Sequence, residues 1–426
     1  MSIKLLPALL AILTLPFASY ATRYAGGDIS LLPEYEAAGA IYRDHNGKPI
    51  ADLLPWLREQ GMNAMRVRLF VSPSDHKAMH PDSYDPNACQ DLDYIIPLCR
   101  RIVDNGFSLL LDFHYSDTWA DPAKQWIPES WKGLSDDELY DRIHDYTRDC
   151  LTRLKEEGIV PDFIQPGNEI SYGMLWGNEG DPESELKKTL RGSSANWDRL
   201  GKLLNRAIEA CREVCPDARI IIHNERVAQP DILTYFYTQM NRLGVDYDII
   251  GLSYYPYFHG SLTALRPVLS TLRNNFSDKE TMIVETGYSY KWEVPGTEYD
   301  NTATWPYSDA GQAQFATDLV ETLERFDSVD GLFWWWLEYN PYSTTLSNWY
   351  NAPLFDGTTG RATTALDIIC GYADDSDSGV ETLPADGADA SGSDGRLYNL
   401  QGHPVTHPAT PGIYIRDGRK IRISAD

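Results

Sequence analysis

Leu92-Asp-Tyr-Ile-Ile-Pro-Leu-Cys-Arg-Arg-Ile-Val-Asp-Asn-Gly-Phe-Ser-Leu-Leu-Leu-Asp-Phe-His-Tyr115 carries two periodicities in succession. Leu92, Ile95, Ile96, Cys99 and Val103 recur at helical spacing and mark one apolar face. Ser108-Leu109-Leu110-Leu111 is then continuous rather than alternating, as in strands covered on both faces. The run ends in polar residues, Asp112 and His114.

The same unit recurs along the chain. Strands are predicted at Ala25–Ser30, Asn63–Phe70, Phe107–Tyr115, Asp162–Glu169, Ala218–Asn224, Asp248–Tyr255, Thr281–Tyr288 and Gly331–Leu337. Helical patterns fill the gaps, for instance Leu200, Leu203, Leu204, Ala207 and Ile208. Eight such units predict an α/β fold, a (β/α)8 TIM barrel. The competing doubly wound sheet lacks support, because no Gly-x-Gly-x-x-Gly follows any strand. The barrel is expected over residues 22–373. Residues 374–394, rich in Asp, Gly, Ser and Ala, read as an acidic linker with too little apolar surface to fold. Residues 395–426 read as a short C-terminal β-rich tail with an Asp417-Gly418 hairpin turn. This tail resembles the sorting segments of bacterial proteins exported across the outer membrane.

The net charge is −25, with seven acidic residues in 374–394. That balance argues against nucleic acid as a partner, since phosphate binding needs basic patches. It is compatible with a neutral polymer. Residues 1–21 read as a signal peptide: a basic start at Lys4, an apolar run from Leu5 to Phe17, and Ser19-Tyr20-Ala21 as a cleavage site. The chain is therefore expected to be exported, to a periplasmic, cell-surface or extracellular address, as a monomer with no membrane insertion. The six cysteines could pair in an oxidising compartment or remain buried thiols, and their spacing does not choose.

Barrels place their chemistry at the C-terminal strand ends. Here those ends carry Asp28; Arg66 and Arg68; Asp112 and His114; Asn168 and Glu169; His223; Tyr255; Glu285; and Trp334-Trp335-Trp336. Any one could be an ordinary polar strand end, but eight together are hard to read that way. Glu169 and Glu285, on strands four and seven, are the pair a glycosidase needs. One carboxyl must be protonated to donate to the leaving oxygen, and the other ionised to attack the anomeric carbon.

The blocks that hold these residues resemble glycoside hydrolase family 53, the endo-β-1,4-galactanases. The most specific is Asp112-Phe-His-Tyr-Ser-Asp-Thr-Trp-Ala-Asp-Pro122, with the spaced Gln125, Pro128 and Trp131 that follow. Gly26-Gly-Asp28-Ile-Ser, Arg66-Val-Arg68, Gly167-Asn-Glu169, Gly251-Leu-Ser-Tyr-Tyr-Pro256 and Val284-Glu285-Thr286 match in order, over about residues 25–370. The resemblance implies a retaining endo-galactanase acting on β-1,4-galactan. It implies Glu169 as general acid/base, Glu285 as nucleophile and Asn168 as a partner of the sugar 2-hydroxyl. Arg66 or Arg68, with Tyr255, would hold the nucleophile. Asp28, His114, Trp119, His223 and Trp335 would line the cleft, where aromatic faces suit sugar C–H bonds.

Two blocks depart from the family pattern. His223-Asn-Glu225-Arg-Val stands where His-x-Asp-x-Gly is usual, and Trp334-Trp-Trp-Leu-Glu338 where Tyr-Trp-Glu is usual. No cofactor is expected. Calcium binding, seen in some members, finds too little support in Asp300-Asn301, and no zinc motif occurs. The alternatives are a sister hydrolase acting on mannan or glucan, which would share the glutamates but not the strand-three block, and a non-catalytic galactan-binding barrel.

Overall fold

The computed structural model describes residues 22–190, 194–291, 293–340, 352–373, 381–383, 397–398, 404–405, 412–416 and 419–423. The leader and most of the segment read as a linker lie outside the described residues.

Eight parallel strands close into a barrel in sequence order: β1 Tyr24–Asp28, β2 Ala64–Leu69, β3 Ser108–Phe113, β4 Phe163–Pro166, β5 Arg219–Asn224, β6 Ile249–Tyr254, β7 Glu280–Thr286 and β8 Val329–Trp334. β1 closes on β8 with Tyr24 opposite Gly331. The longer helices, among them Leu92–Asp104, Asp136–Glu156, Ser194–Val214, Pro230–Arg242, Leu262–Asn275 and Asp309–Leu323, lie outside. The face read at Leu200, Leu203, Leu204, Ala207 and Ile208 is buried throughout, whereas in Leu92–Asp104 the buried face is Ile95, Leu98, Cys99 and Ile102, with Leu92, Ile96 and Val103 half-buried at its edge. Gly26 answers to close strand approach, because a Cβ there would lie 1.8 Å from the Ala64 carbonyl oxygen.

The interior shows why the chemistry sits at one end. Inward positions recur every second residue along a strand. Near the bottom they are apolar: Tyr24, Ala64, Leu110, Phe163, Ile221, Ile249 and Met282 pack with Val284 and Phe333. Two residues higher the same faces become Arg66, Asp112, Gln165 and His223. β7 adds a bulge: Leu252 pairs with Ile283 but Ser253 with Glu285, so Val284 is the extra residue. The bulge lets Val284 fill the core while Glu285 still aims at the barrel mouth.

Beyond the barrel, β12 Gly412–Arg416 and β13 Arg419–Ile423 pair antiparallel across residues 417–418. β10 Leu397–Tyr398 joins β12 antiparallel, and β11 Pro404–Val405 joins β10. β9 Glu381–Leu383, inside the stretch read as a linker, pairs parallel with β13. No disulfide links the six cysteines, and burial pushes the Cys89 and Cys150 thiols up to about 12. Among the described residues no helix is long and apolar enough to cross a membrane.

Candidate active site

Arg66 is the hub of the barrel mouth. Its guanidinium is fully buried and tolerable there only because it is paired. Nη1 donates to Asp28 Oδ2 at 3.1 Å; Nη2 donates to Asp112 Oδ2 at 2.8 Å, Asn168 Oδ1 at 2.9 Å and Glu285 Oε1 at 2.9 Å. The other oxygen of Glu285 accepts from the Tyr255 hydroxyl at 3.0 Å. Arg66 of β2 and Tyr255 just after β6 thus converge on the one carboxyl of β7. Burial raises its pKa to about 7, with Arg66 and the Tyr255 hydroxyl pulling it back towards ionisation.

Glu169 is held differently. β4 ends at Pro166, and Glu169 follows three residues later in a left-handed conformation, φ 47° and ψ 54°. A non-glycine residue in that region carries strain, which collects at functional sites. Its carboxyl accepts from Ser253 Oγ at 2.6 Å. Desolvation, then the nearby Glu285 and Glu225 carboxyls, push its pKa well above the ordinary carboxyl range. With two charged or hydroxyl donors on Glu285 against one on Glu169, Glu285 ionises first. A proton donor and an ionised nucleophile at one cleft can together cleave an acetal.

Asn168 bridges the two halves. Its Nδ2 donates to the Ala120 carbonyl at 2.8 Å and its carbonyl oxygen takes the Arg66 bond, while Gln125 Nε2 donates to its backbone oxygen at 2.7 Å. The amide retains a second N–H for an external acceptor.

Several residues expected to line the cleft or to hold the nucleophile lie behind the cleft wall. Asp28, Arg66, Arg68, His114 and His223 are each at most 1% exposed. The reason is the inward face of a closed barrel, where residues below the rim meet other side chains before solvent. Asp28 and Arg66 support Glu285, and Arg66 rather than Arg68 holds it. Arg68 lies 3.6 Å from Asp28 Oδ1 and stacks against Trp119, Trp335 and Trp336, at 4.7, 4.9 and 5.5 Å from the ring centres. His114 is 3.1 Å from Asp112 Oδ2 through Nε2, and its Nδ1 accepts from the Ala120 N–H at 3.1 Å. It fixes the strand-three loop. Trp119, half-buried and pinned through Nε1 to Asp85 at 2.8 Å, and Trp335, 8% exposed and edge-on to it at 6.1 Å, form the aromatic wall.

Asp112, read as a polar strand end, belongs to the site together with Gln165, Ser253 and Glu225, which stand outside the expected site residues. Period-two spacing marks the first three: Asp112 shares a face with His114, and Ser253 with Tyr255, while Gln165 sits two above core Phe163. Glu225 follows the end of β5, and no periodicity extends there. Its Oε1 accepts from Ser171 Oγ at 2.5 Å and pairs with Arg226 at 2.8 Å; burial raises its pKa to about 6. Glu338 is buried beneath the loop after β1, accepting the Leu31 N–H at 2.8 Å. Among the described residues, His144, Glu209 and Glu213 alone bring three metal-type ligand atoms within 4.8 Å, on two outer helices.

Comparison with known proteins is consistent across sequence and structure. The profile of glycosyl hydrolase family 53 matches residues 24–369. Arabinogalactan endo-β-1,4-galactanase A of Aspergillus niger is 33% identical over 342 residues, covering 77% of this chain and 89% of the relative. The arabinogalactan endo-β-1,4-galactanase of Cellvibrio japonicus is 32% identical over 352 residues, covering 79% and 87%. The solved family 53 catalytic domain of Ignisphaera aggregans superimposes with a TM-score of 0.71 at 31% identity, covering 82% of this chain and 95% of that domain.

Proposed function

The chain belongs to glycosyl hydrolase family 53, and from that membership we propose that it cuts internal β-1,4-galactosidic bonds of galactan by a retaining double displacement. Glu285 is the nucleophile and Glu169 the general acid/base. The observation that carries this reading is the asymmetry of the two carboxyls: Arg66 and Tyr255 both donate to Glu285, whereas Glu169 takes one hydroxyl and faces two further carboxyls.

Glu169 protonates the glycosidic oxygen while an oxygen of Glu285 attacks the anomeric carbon; the C–O bond to the leaving chain breaks. Ionised Glu169 then takes a proton from water, whose oxygen displaces Glu285. The residual N–H of Asn168 is directed to the 2-hydroxyl. The galactanase names of the relatives and the aromatic wall of Trp119 and Trp335 support galactan as the polymer. Residues 1–21 are proposed to export the chain before it meets its polymer.

Parallel reducing-sugar assays should show hydrolysis of β-1,4-galactan at rates about a hundredfold or more above those on mannan and cellulose, from differential binding alone. Comparable rates on mannan would assign the chain to the sister specificity. Proton NMR of the first products should show the β anomer, and an initial α anomer would mean inversion.

Glu225 supplies a test of the electrostatics. Its charge disfavours ionised Glu169, so Glu225→Gln should lower the pKa of the acid. The alkaline limb of kcat/KM should therefore move down, by a few tenths of a pH unit to about one unit at such a partly buried site. An upward shift in that limb would show that Glu225 acts on the acid by some other route than charge.

A further inference from the structure

The backbone and the carboxyl of Glu169 are joined to each other through two side chains that face no solvent. Glu169 N–H points at His223 Nδ1 at 3.3 Å; His223 Nε2 lies 2.8 Å from Ser253 Oγ; and Ser253 Oγ lies 2.6 Å from Glu169 Oε1. His223 and Ser253 are both 0% exposed. The loop therefore begins and ends on Glu169, whose own backbone is left-handed at φ 47°.

The direction of these bonds follows from the donors around His223. The imidazole is neutral, since burial and the charge of Arg66 push its pKa well below the ordinary value. It carries one proton, on either Nδ1 or Nε2. Two donors face Nδ1: the Glu169 N–H, which cannot reorient, and Gln165 Nε2 at 3.1 Å, oriented by its bond to Asp112 Oδ1 at 2.6 Å. Asn168 Oδ1, at 3.0 Å, is the competing acceptor, but it already takes the Arg66 bond at 2.9 Å. Nδ1 is thus the acceptor and Nε2 carries the proton. Nε2–H donates to Ser253 Oγ, which leaves the serine hydroxyl hydrogen for Glu169. The 2.6 Å separation is a short hydroxyl–carboxyl hydrogen bond.

We propose that His223 and Ser253 are positioning residues that hold the strained backbone of Glu169 and feed one hydrogen bond to its carboxylate, so that the ionised form left by each proton donation is stabilised until it takes a proton from water. The inference rests on the assignment of Glu169 as acid/base. Without the relay, burial and the neighbouring Glu285, Glu225 and Asp121 all oppose ionisation, Tyr255 stays neutral beside Glu285, and among the described residues no cation bonds the carboxyl directly. Arg66 bonds Asn168 and Glu285, and Arg226 pairs with Glu225. The family-typical loop after β5 is altered in this chain, but the His223 that anchors the relay stands on the strand itself.

The test is Ser253→Ala, measured as pH profiles of kcat/KM on galactan and on an aryl β-galactoside with an activated leaving group. Removing a donor to the charged form raises the acid's pKa, so the alkaline limb should move up by about one pH unit. Turnover of the activated substrate should fall about tenfold, because its rate-limiting second step needs ionised Glu169 as base. Ser253→Thr, which keeps the hydroxyl, should restore both; it also serves if the alanine variant folds poorly. A limb that stays in place, or that moves down, overturns the relay: downward movement is the signature of the other His223 tautomer, with Ser253 accepting from protonated Glu169. Glu169→Ala, run in parallel, separates the two levels. If that variant keeps its activity on polymer, the acid/base assignment itself fails; if it does not, an unmoved limb in Ser253→Ala counts against the relay alone.

Discussion

Glu285→Gln is expected to lower turnover by about 10⁴-fold or more on every substrate, whatever its leaving group. The amide presents no anion to the anomeric carbon, and the first displacement cannot begin. Geometry gives the variant little reason to misfold. Arg66 keeps Asp28 and Asp112 as partners at 3.1 and 2.8 Å, and the amide can turn its oxygen to Arg66 and its NH2 to the Tyr255 hydroxyl oxygen. The native cluster sets three carboxyls around one directly bonded guanidinium, an arrangement that stores repulsion for the sake of the nucleophile. Removing one charge should leave the melting temperature unchanged or slightly raised, a trade of activity for stability. Mass spectrometry adds the decisive readout. Wild-type protein incubated with a 2-deoxy-2-fluoro-galactoside bearing an activated leaving group should gain one glycosyl mass, and Glu285→Gln should gain none. Retention of turnover within tenfold of wild type, or labelling at another residue, would move the nucleophile elsewhere.

The second large effect separates the two halves of the reaction. Glu169→Ala should lower turnover on galactan by about 10²–10⁴-fold, the usual worth of a positioned acid. An aryl galactoside with a good leaving group needs no proton, so its first displacement should survive and show a burst of released phenol. The second displacement lacks its base and becomes limiting. Azide needs no base, and the variant has no carboxylate at 169 to repel it, so azide should accelerate turnover and yield β-galactosyl azide. The removed side chain leaves Ser253 and His223 bonded to each other, so the site should not collapse. Absence of azide acceleration, or an α-galactosyl azide, would contradict the roles assigned to the pair.

Much of this site could be read before any coordinates. The alternation that makes Ala64, Arg66 and Arg68 share one face is a property of any strand, and it marks Leu110 and Asp112, or Phe163 and Gln165, in the same way. Local patterns of this kind survive folding because they reflect the pleat itself. The ends of elements are less legible. Glu169, read as ending its strand, stands three residues beyond it, because Gly167 at φ 105° and Glu169 itself turn the chain left-handed before the next helix. Nothing in a linear pattern shows that turn.

Primary structure by itself determined the eight alternating units, the closed-barrel architecture and the two glutamates at its mouth, since each is carried by periodicity or by residues at strand ends. Which polar residues meet the cleft and which support it was decided only by closure of the barrel. Arg66 draws together Asp28, Asp112, Asn168 and Glu285 from positions up to 219 residues away from it, and His223 reaches Glu169 across β5 and β4. The extra residue in β7 turns Glu285 inward through its pairing with β6, a register that belongs to two strands and not to either alone. Hydrogen bonds of this kind depend on depth below the rim, and depth is a property of the assembled barrel.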